Sequence, residues 1–278
     1  MIRATRTLAI LAATVACPAL ALAGGPTATA GAVPATQYAP PASSPDLIFS
    51  VRGGVAVNPE YFGSDDYAVG PDFSLGFGFL RLPGGRTFGS PDPFYEPSGF
   101  GLRGAFGYVG ERNAADYPEL TGLNTVDASV ELGLGIGYQS RYFDAYADAR
   151  YGVIGHHAWV GELGADVKAH PTDKLTLSIG PRLTLGSNKY ASTYFGVSPA
   201  ESAASGGALA AYDASGGVVS AGVELGAKYR INENWGVEGA VTYDRFTGDA
   251  ADSPIVQQGT KDQYGVRIGL TRRITLDF

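Results

Sequence analysis

Thr125-Val126-Asp127-Ala128-Ser129-Val130-Glu131-Leu132-Gly133-Leu134-Gly135-Ile136-Gly137-Tyr138 sorts its side chains into two sets with a period of two. Val126, Ala128, Val130, Leu132, Leu134, Ile136 and Tyr138 share one face, and Asp127, Ser129, Glu131, Gly133, Gly135 and Gly137 share the other. A helix would scatter the apolar set around its axis, and only an extended strand separates the two completely. The stretch therefore reads as a strand, apolar on one side and acidic with small residues on the other.

The same alternation recurs nine more times. Leu47, Phe49, Val51, Val55 and Val57 define the first strand, Phe73, Leu75, Phe77 and Phe79 the second, and Phe100, Leu102, Phe106 and Tyr108 the third. The Thr125 stretch is the fourth. Phe143 to Val153, Trp159 to Val167, Leu175 to Leu185, Val219 to Tyr229, Trp235 to Tyr243 and Tyr264 to Phe278 complete ten. A soluble sandwich also alternates, but these strands are much longer than the usual five or six residues. Their second face carries charges, and Tyr, Trp and Phe gather near their ends as in an aromatic girdle. The reading is an all-β, antiparallel, transmembrane up-and-down barrel of about ten strands, with twelve as the alternative.

The connections alternate as well. Residues 139–141, 170–173 and 232–234 are short, whereas 58–67, 111–124, 187–216 and 247–262 are long, matching periplasmic turns and outer loops. Two links break the rhythm: 82–98 should be periplasmic yet is long and rich in Pro and Gly, and the link at Gly155-His156 should be outer yet is short.

The chain of 278 residues begins MIRATRTLAILAATVACPALALA. Arg3 and Arg6, the apolar run from Leu8 to Leu20 and Ala21-Leu22-Ala23 form a Sec-type signal peptide over 1–23. Lipidation at Cys17 fits less well, because Thr14-Val15-Ala16 lacks the expected leucine. Cleavage after Ala23 removes the single cysteine, and with it any disulfide or thiolate chemistry. Residues 24–45, rich in Pro, Ala, Thr and Gly, read as a flexible periplasmic lead-in, and 46–278 as the barrel. Beyond the signal no run of 18 apolar residues offers a membrane helix. The net charge of −7 and the lack of a long basic stretch argue against nucleic acid as a partner.

The chain closes on Phe278 after Tyr264, Val266, Ile268, Leu270, Ile274 and Leu276 on one face. A terminal aromatic on an alternating strand resembles the signal read by the outer-membrane assembly machinery. Arg272 interrupts that face, so either a bulge turns it inward or it snorkels to the interface.

Inward charges carry both signs: Arg52, Arg103, Arg150, Lys168, Arg182, Arg230, Arg267 and Arg273 against Asp127, Glu131, Asp144, Asp148, Glu162, Asp166, Glu224, Glu238 and Asp244. Arg103, Glu131, Asp148, Arg150, Glu162, Arg182, Glu224 and Glu238 are the candidate lumen residues. Opposite signs on neighbouring strands favour a ladder of ion pairs over a pore lined for solutes. The many inward glycines leave space and pull the other way. Signals for catalysis are weak. His156, His157 and His170 lack the companions of a metal site, no Ser-His-acid spacing stands out, and Asp249 and Asp252 read as turn residues. The expectation is a protein that is no enzyme and carries no cofactor.

Three stretches resemble the MltA-interacting protein / OmpV family of outer-membrane proteins: Pro59-Glu60-Tyr61-Phe62-Gly63-Ser64-Asp65-Asp66-Tyr67, Tyr194-Phe195-Gly196-Val197-Ser198 and Gly248-Asp249-Ala250-Ala251-Asp252-Ser253-Pro254-Ile255-Val256. The ending Thr271-Arg272-Arg273-Ile274-Thr275-Leu276-Asp277-Phe278 is more charged than the family's usual close. The resemblance implies a barrel in a Gram-negative outer membrane, bounded by lipid and lipopolysaccharide. It implies scaffolding of murein machinery through a lytic transglycosylase and a murein synthase, with docking expected on 82–98 and the short turns. A narrow solute channel and a surface adhesin working through 187–216 are the alternatives.

Overall fold

The computed structural model describes residues 45–92 and 98–278. The expected signal peptide, all but the last residue of the expected lead-in, and residues 93–97 of the long link expected to be periplasmic lie outside the described residues.

Among the described residues there are ten long strands and one short one: β1 (Leu47–Pro59), β2 (Tyr67–Arg81), β3 (Thr87–Gly89), β4 (Gly99–Val109), β5 (Ser129–Gln139), β6 (Phe143–Ile154), β7 (Trp159–Thr172), β8 (Leu175–Gly186), β9 (Gly217–Arg230), β10 (Trp235–Phe246) and β11 (Asp262–Leu276). They form one curled antiparallel sheet in the order β3-β2-β1-β11-β10-β9-β8-β7-β6-β5-β4. The first and last strands pair, from Leu47 with Leu276 to Val57 with Val266, and every other neighbour follows chain order. No ladder joins β2 to β4 among the described residues, while β3 pairs with the periplasmic end of β2 at Phe79 to Arg81. The long link that the sequence left unexplained thus holds a short hairpin strand.

The alternating faces fall as the period of two requires. Leu134 is 70 % exposed, and Phe73, Leu102, Ile136, Val167, Ile179, Leu225 and Ile268 are exposed with it. In water so wide an apolar belt would be a severe liability; facing hydrocarbon it is what holds the barrel in the bilayer. No helix among the described residues is long and apolar enough to cross a membrane.

Three side chains depart from the expected faces, each at a ladder irregularity. The β1–β2 register shifts between Ile48 and Phe49, so Phe79 pairs with Ile48 and both turn into the barrel, where they are buried. A second shift, between Thr184 and Leu185, leaves Val219 unopposed and buried rather than outward. The third is Asp127. The β4–β5 ladder ends at Val109 and Ser129, because Val126 exchanges both of its backbone hydrogen bonds with Arg112 in the loop below. The fourth strand therefore starts at Ser129 rather than Thr125, and Asp127 is an exposed loop residue, not a lumen charge.

Arg272 keeps its outward phase. Its pairs with Val51 and Trp235 run without a register shift, which removes the bulge as an explanation.

Candidate functional site

The barrel has two unlike interiors, one charged and one apolar. The charged one lies along the strands, and each of the ten long strands contributes to it. Arg52 of β1 holds Asp72 of β2, its Nη2 donating at 3.1 Å, and reaches Glu238 of β10 at 3.3 Å. Arg182 of β8 donates to both oxygens of Asp166 on β7, at 2.9 and 3.0 Å, and to Glu224 of β9 at 3.1 Å. Glu224 also meets Arg267 of β11 at 2.8 Å. Arg150 of β6 donates Nε to Glu131 of β5 and Nη1 to Glu162 of β7, both at 2.9 Å. Arg103 of β4 lies 3.1 Å from Asp148 of β6, without the alignment of a hydrogen bond, and its guanidinium sits over the Tyr146 ring at 3.9 Å. Lys168 pairs with Asp144 at 2.8 Å.

All eight candidate lumen residues thus belong to one belt of opposite charges. Arg230 and Arg273 stand at the rim that carries the short turns and donate to the carbonyls of Asp173 and Pro91. Period-two reasoning could place a charge on the inner face but could not say how far along the barrel it lay.

Several glycines on that face are not vacant space, although Gly70 and Gly101 stand open. A Cβ at Gly135 would strike the Asp148 carboxylate, one at Gly107 the Glu131 carboxylate, one at Gly164 the Tyr146 ring and one at Gly269 the stem of Arg52. Each is a bed under a long polar side chain from the next strand. Charged groups folded against the wall exchange water for partners of opposite sign, and desolvation is offset only because both partners are present.

The apolar interior fills the outer mouth, and the sequence did not foretell it. The long loops contain helices: α1 (Asn188–Phe195), α2 (Pro199–Ala204), α3 (Gly248–Asp252) and α4 (Pro254–Gln257). Loop 110–128 adds two single 3-10 turns, at Ala114–Asp116 and Pro118–Leu120. Tyr190, Tyr194 and Phe195 of α1 pack with Ala250, Ala251 and Val256 against Val160 of β7 and Phe246 of β10. A second cluster joins Tyr61, Leu120, Leu123, Val197, Leu209 and Ile255. Phe195, Ile255 and Leu120 are fully buried. The Phe62 ring lies 5.0 Å from Tyr194 and 5.9 Å from Phe195, so all four long loops meet in one plug.

Polar ties hold the plug together. Gln263 accepts from Gly63 N–H at 3.2 Å and donates to Ser64 O at 3.2 Å. Gly63 has φ +100°, and a Cβ there would lie 2.7 Å from Val256 Cα, so the turn needs glycine twice over. The Ser253 hydroxyl donates to Phe195 O at 2.6 Å. Buried Arg112 donates to Tyr194 O at 2.9 Å, and burial lowers its pKa. Burial also pushes the Tyr194 phenol up to about 12. Ser198 and Glu201 form a capping box on α2, and Glu201 also accepts from Asn124 N–H at 2.9 Å, tying two loops together. Ser-Pro-x-Glu at 198–201 is the capping-box pattern in these loops that could have announced a helix.

His156 joins the two interiors. Its side chain is fully buried. Ala158 N–H donates to Nδ1 at 3.0 Å, so the proton is on Nε2 and is donated to Glu131 at 3.1 Å. Its N–H donates to Ser129 Oγ, which also accepts from the Tyr194 hydroxyl. One carboxylate, Glu131, therefore receives the wall through Arg150 and the plug through His156. His157, by contrast, is exposed and takes φ +48° in the tight turn. Among the described residues no group of His, Cys, Asp and Glu could hold a metal ion. Asp249 and Asp252 serve the plug, Asp249 accepting from Ser215 N–H at 2.8 Å and Asp252 facing Lys261 at 3.4 Å.

The structure is similar to several solved barrels at low score. OprG from Pseudomonas aeruginosa matches with TM-score 0.26 and 12% identity, over 84% of this chain and 99% of that one. The NanC porin matches with TM-score 0.36 and 9% identity, over 81% and 100%. Neisserial surface protein A matches with TM-score 0.27 and 9% identity, over 82% and 97%. The comparison with curated proteins finds no match. The family comparison is decisive: the model described as MltA-interacting protein MipA matches residues 51–274, from β1 to β11. With its exposed apolar belt and its antiparallel curled sheet, the chain is a β-barrel protein of a Gram-negative outer membrane and belongs to the MltA-interacting protein MipA family.

Proposed function

We propose that this barrel is a scaffold rather than a conduit, sealed on its outer side and offering its periplasmic end to partners of the murein machinery. The observation that carries the reading is the plug. Side chains from every long loop are buried in one apolar mass across the outer mouth, and the family-like stretches at 59–67, 194–198 and 248–256 supply much of it. Tyr61, Phe195, Ile255 and Val256 are spent on internal packing and leave no apolar face for an external partner. A solute channel would need that mouth open. The described part of the 82–98 link and the turns at 140–142, 173–174 and 231–234 remain as the exposed periplasmic surface.

The name of the family supplies the partner class, a lytic transglycosylase of the MltA kind, and the resemblance adds a murein synthase beside it. The test is capture of a purified lytic transglycosylase by the detergent-solubilised barrel, with and without residues 82–98. The reading expects capture that is lost on deletion while the barrel stays heat-modifiable on gels. Absence of capture by the intact protein, or capture that survives the deletion, contradicts it.

A further inference from the structure

Two arginines stand on the lipid-facing side of the ladders, at opposite ends of the barrel, and their surroundings differ. Arg245 is at the outer end of β10, directly across from Asp262 of β11, and donates to its carboxylate at 2.7 and 3.0 Å. Its charge is matched within the protein. Arg272 of β11 is at the periplasmic end, exposed, between Val51 and Trp235. Among the described residues no carboxylate forms an ion pair with it. Its guanidinium lies instead over the Trp235 ring, 4.6 Å from the centroid.

The depth of this pair follows from the strand. Eight residue steps along β10 lead from Trp235 to Tyr243, whose ring meets Tyr264 at the outer end. At about 3.3 Å per residue and a tilt of about 40°, that is roughly 20 Å along the membrane normal. The two aromatic positions thus bracket an apolar band of ordinary height, and Trp235 marks its periplasmic border. A cation there is out of the hydrocarbon centre but still beside lipid. An arginine lying over an aromatic ring keeps N–H groups at its edge, in the forked arrangement that fits two oxygens of a phosphate.

We propose that Arg272 and Trp235 form a binding site for the phosphate of a phospholipid headgroup in the periplasmic leaflet. The indole supports the guanidinium from one side, and the lipid supplies the counter-charge that Asp262 supplies to Arg245 at the other end. The proposal stands apart from scaffolding, since it concerns the lipid wall and not the turns.

Trp159 and Trp235 are the two tryptophans of the chain, so Trp159→Phe leaves the indole under Arg272 as the sole reporter. The protein is folded in maltoside micelles, which contain no phosphate, and titrated with dihexanoylphosphatidylglycerol while Trp235 emission is read. A saturable change is expected, and Arg272→Leu should raise the half-saturating concentration by about 10-fold or more, the equivalent of a charge-assisted hydrogen bond. An unchanged titration in Arg272→Leu overturns the site. If that variant does not fold, Arg272→Lys decides: weaker binding supports the forked contact, and equal binding overturns it. Two further arms separate the sources. Dihexanoylglycerol giving the same saturable response would overturn phosphate recognition. Inorganic phosphate reproducing it at equal concentration would make the site one for free anions and overturn the assignment to lipid.

Discussion

The wall and the plug are built from opposite materials. The wall is a belt of guanidinium and carboxylate groups that link neighbouring strands, with Arg52, Glu131 and Asp148 each lying over a glycine of the next strand. The plug is aromatic and aliphatic, with a few buried polar ties. The difference follows from what each must contact. The wall surrounds a lumen and cannot be greasy without collapsing inward, while the plug must exclude water across the mouth, which only close-packed apolar side chains do. If the two are separate structures, damage to one should spare the other, and His156 should be where that separation fails.

The largest effect is expected in the plug. Phe195→Ala removes a fully buried ring that packs on Phe62 and Phe246 and should cost about 3–5 kcal/mol. Hydrogen exchange should quicken throughout 187–216 and 247–261 and stay unchanged in the β5–β8 ladders. Quickening in both would erase the distinction.

Next is the wall. Arg150→Met takes the guanidinium from buried Glu131 and partly buried Glu162, and leaving both carboxylates without their shared cation should cost about 3 kcal/mol. Here the midpoint of urea unfolding in vesicles should fall while exchange in α1 is unaltered. His156→Phe is smaller, about 2 kcal/mol, from the Glu131 oxygen and Ala158 N–H left without partners. It should loosen α1 and lower the unfolding midpoint together, unlike either of the other variants.

The smallest effect depends on pH. Burial would raise the Glu201 carboxyl, but hydrogen bonds from Asn124 and Ser198 outweigh it and hold the group below its ordinary value. Its contribution is therefore present above the unfolded value of about 4.3 and fades as pH falls below that. Exchange in 110–128 and 199–204 should quicken on acidification beneath about pH 4, and Glu201→Gln should remove that dependence.

How much of this was legible differs between the two regions for a physical reason. A strand fixes side-chain direction by parity, so Glu131, Arg150, Glu162 and Arg182 could be placed on the inner face from the sequence, and their pairing inferred from sign. Phe79 and Val219 were misplaced because one inserted residue reverses parity, and no local signal marks it. The plug was not legible because its residues, such as Tyr61, Leu120, Leu209 and Ile255, come from four loops far apart in the chain and show no shared period. Ser198-Pro199-Ala200-Glu201 carries the capping-box pattern, and it went unread among the strands. Ser187 and Ser253 cap α1 and α4, yet a serine before so short a segment, even with Pro254 after it, is too common to have been read that way. Asp127 failed differently: the alternation continued through 125–128, but Arg112 had already claimed the backbone of Val126.

The central claim is that the plug seals the outer mouth, and single-channel recording of the folded protein in a planar bilayer tests it most directly. The account predicts no steady conductance from the intact barrel, and ion-selective steps once residues 188–204 are replaced by a short glycine-serine link. Steady steps from the intact protein would contradict the sealed mouth and return the belt of charges to the role of a solute path.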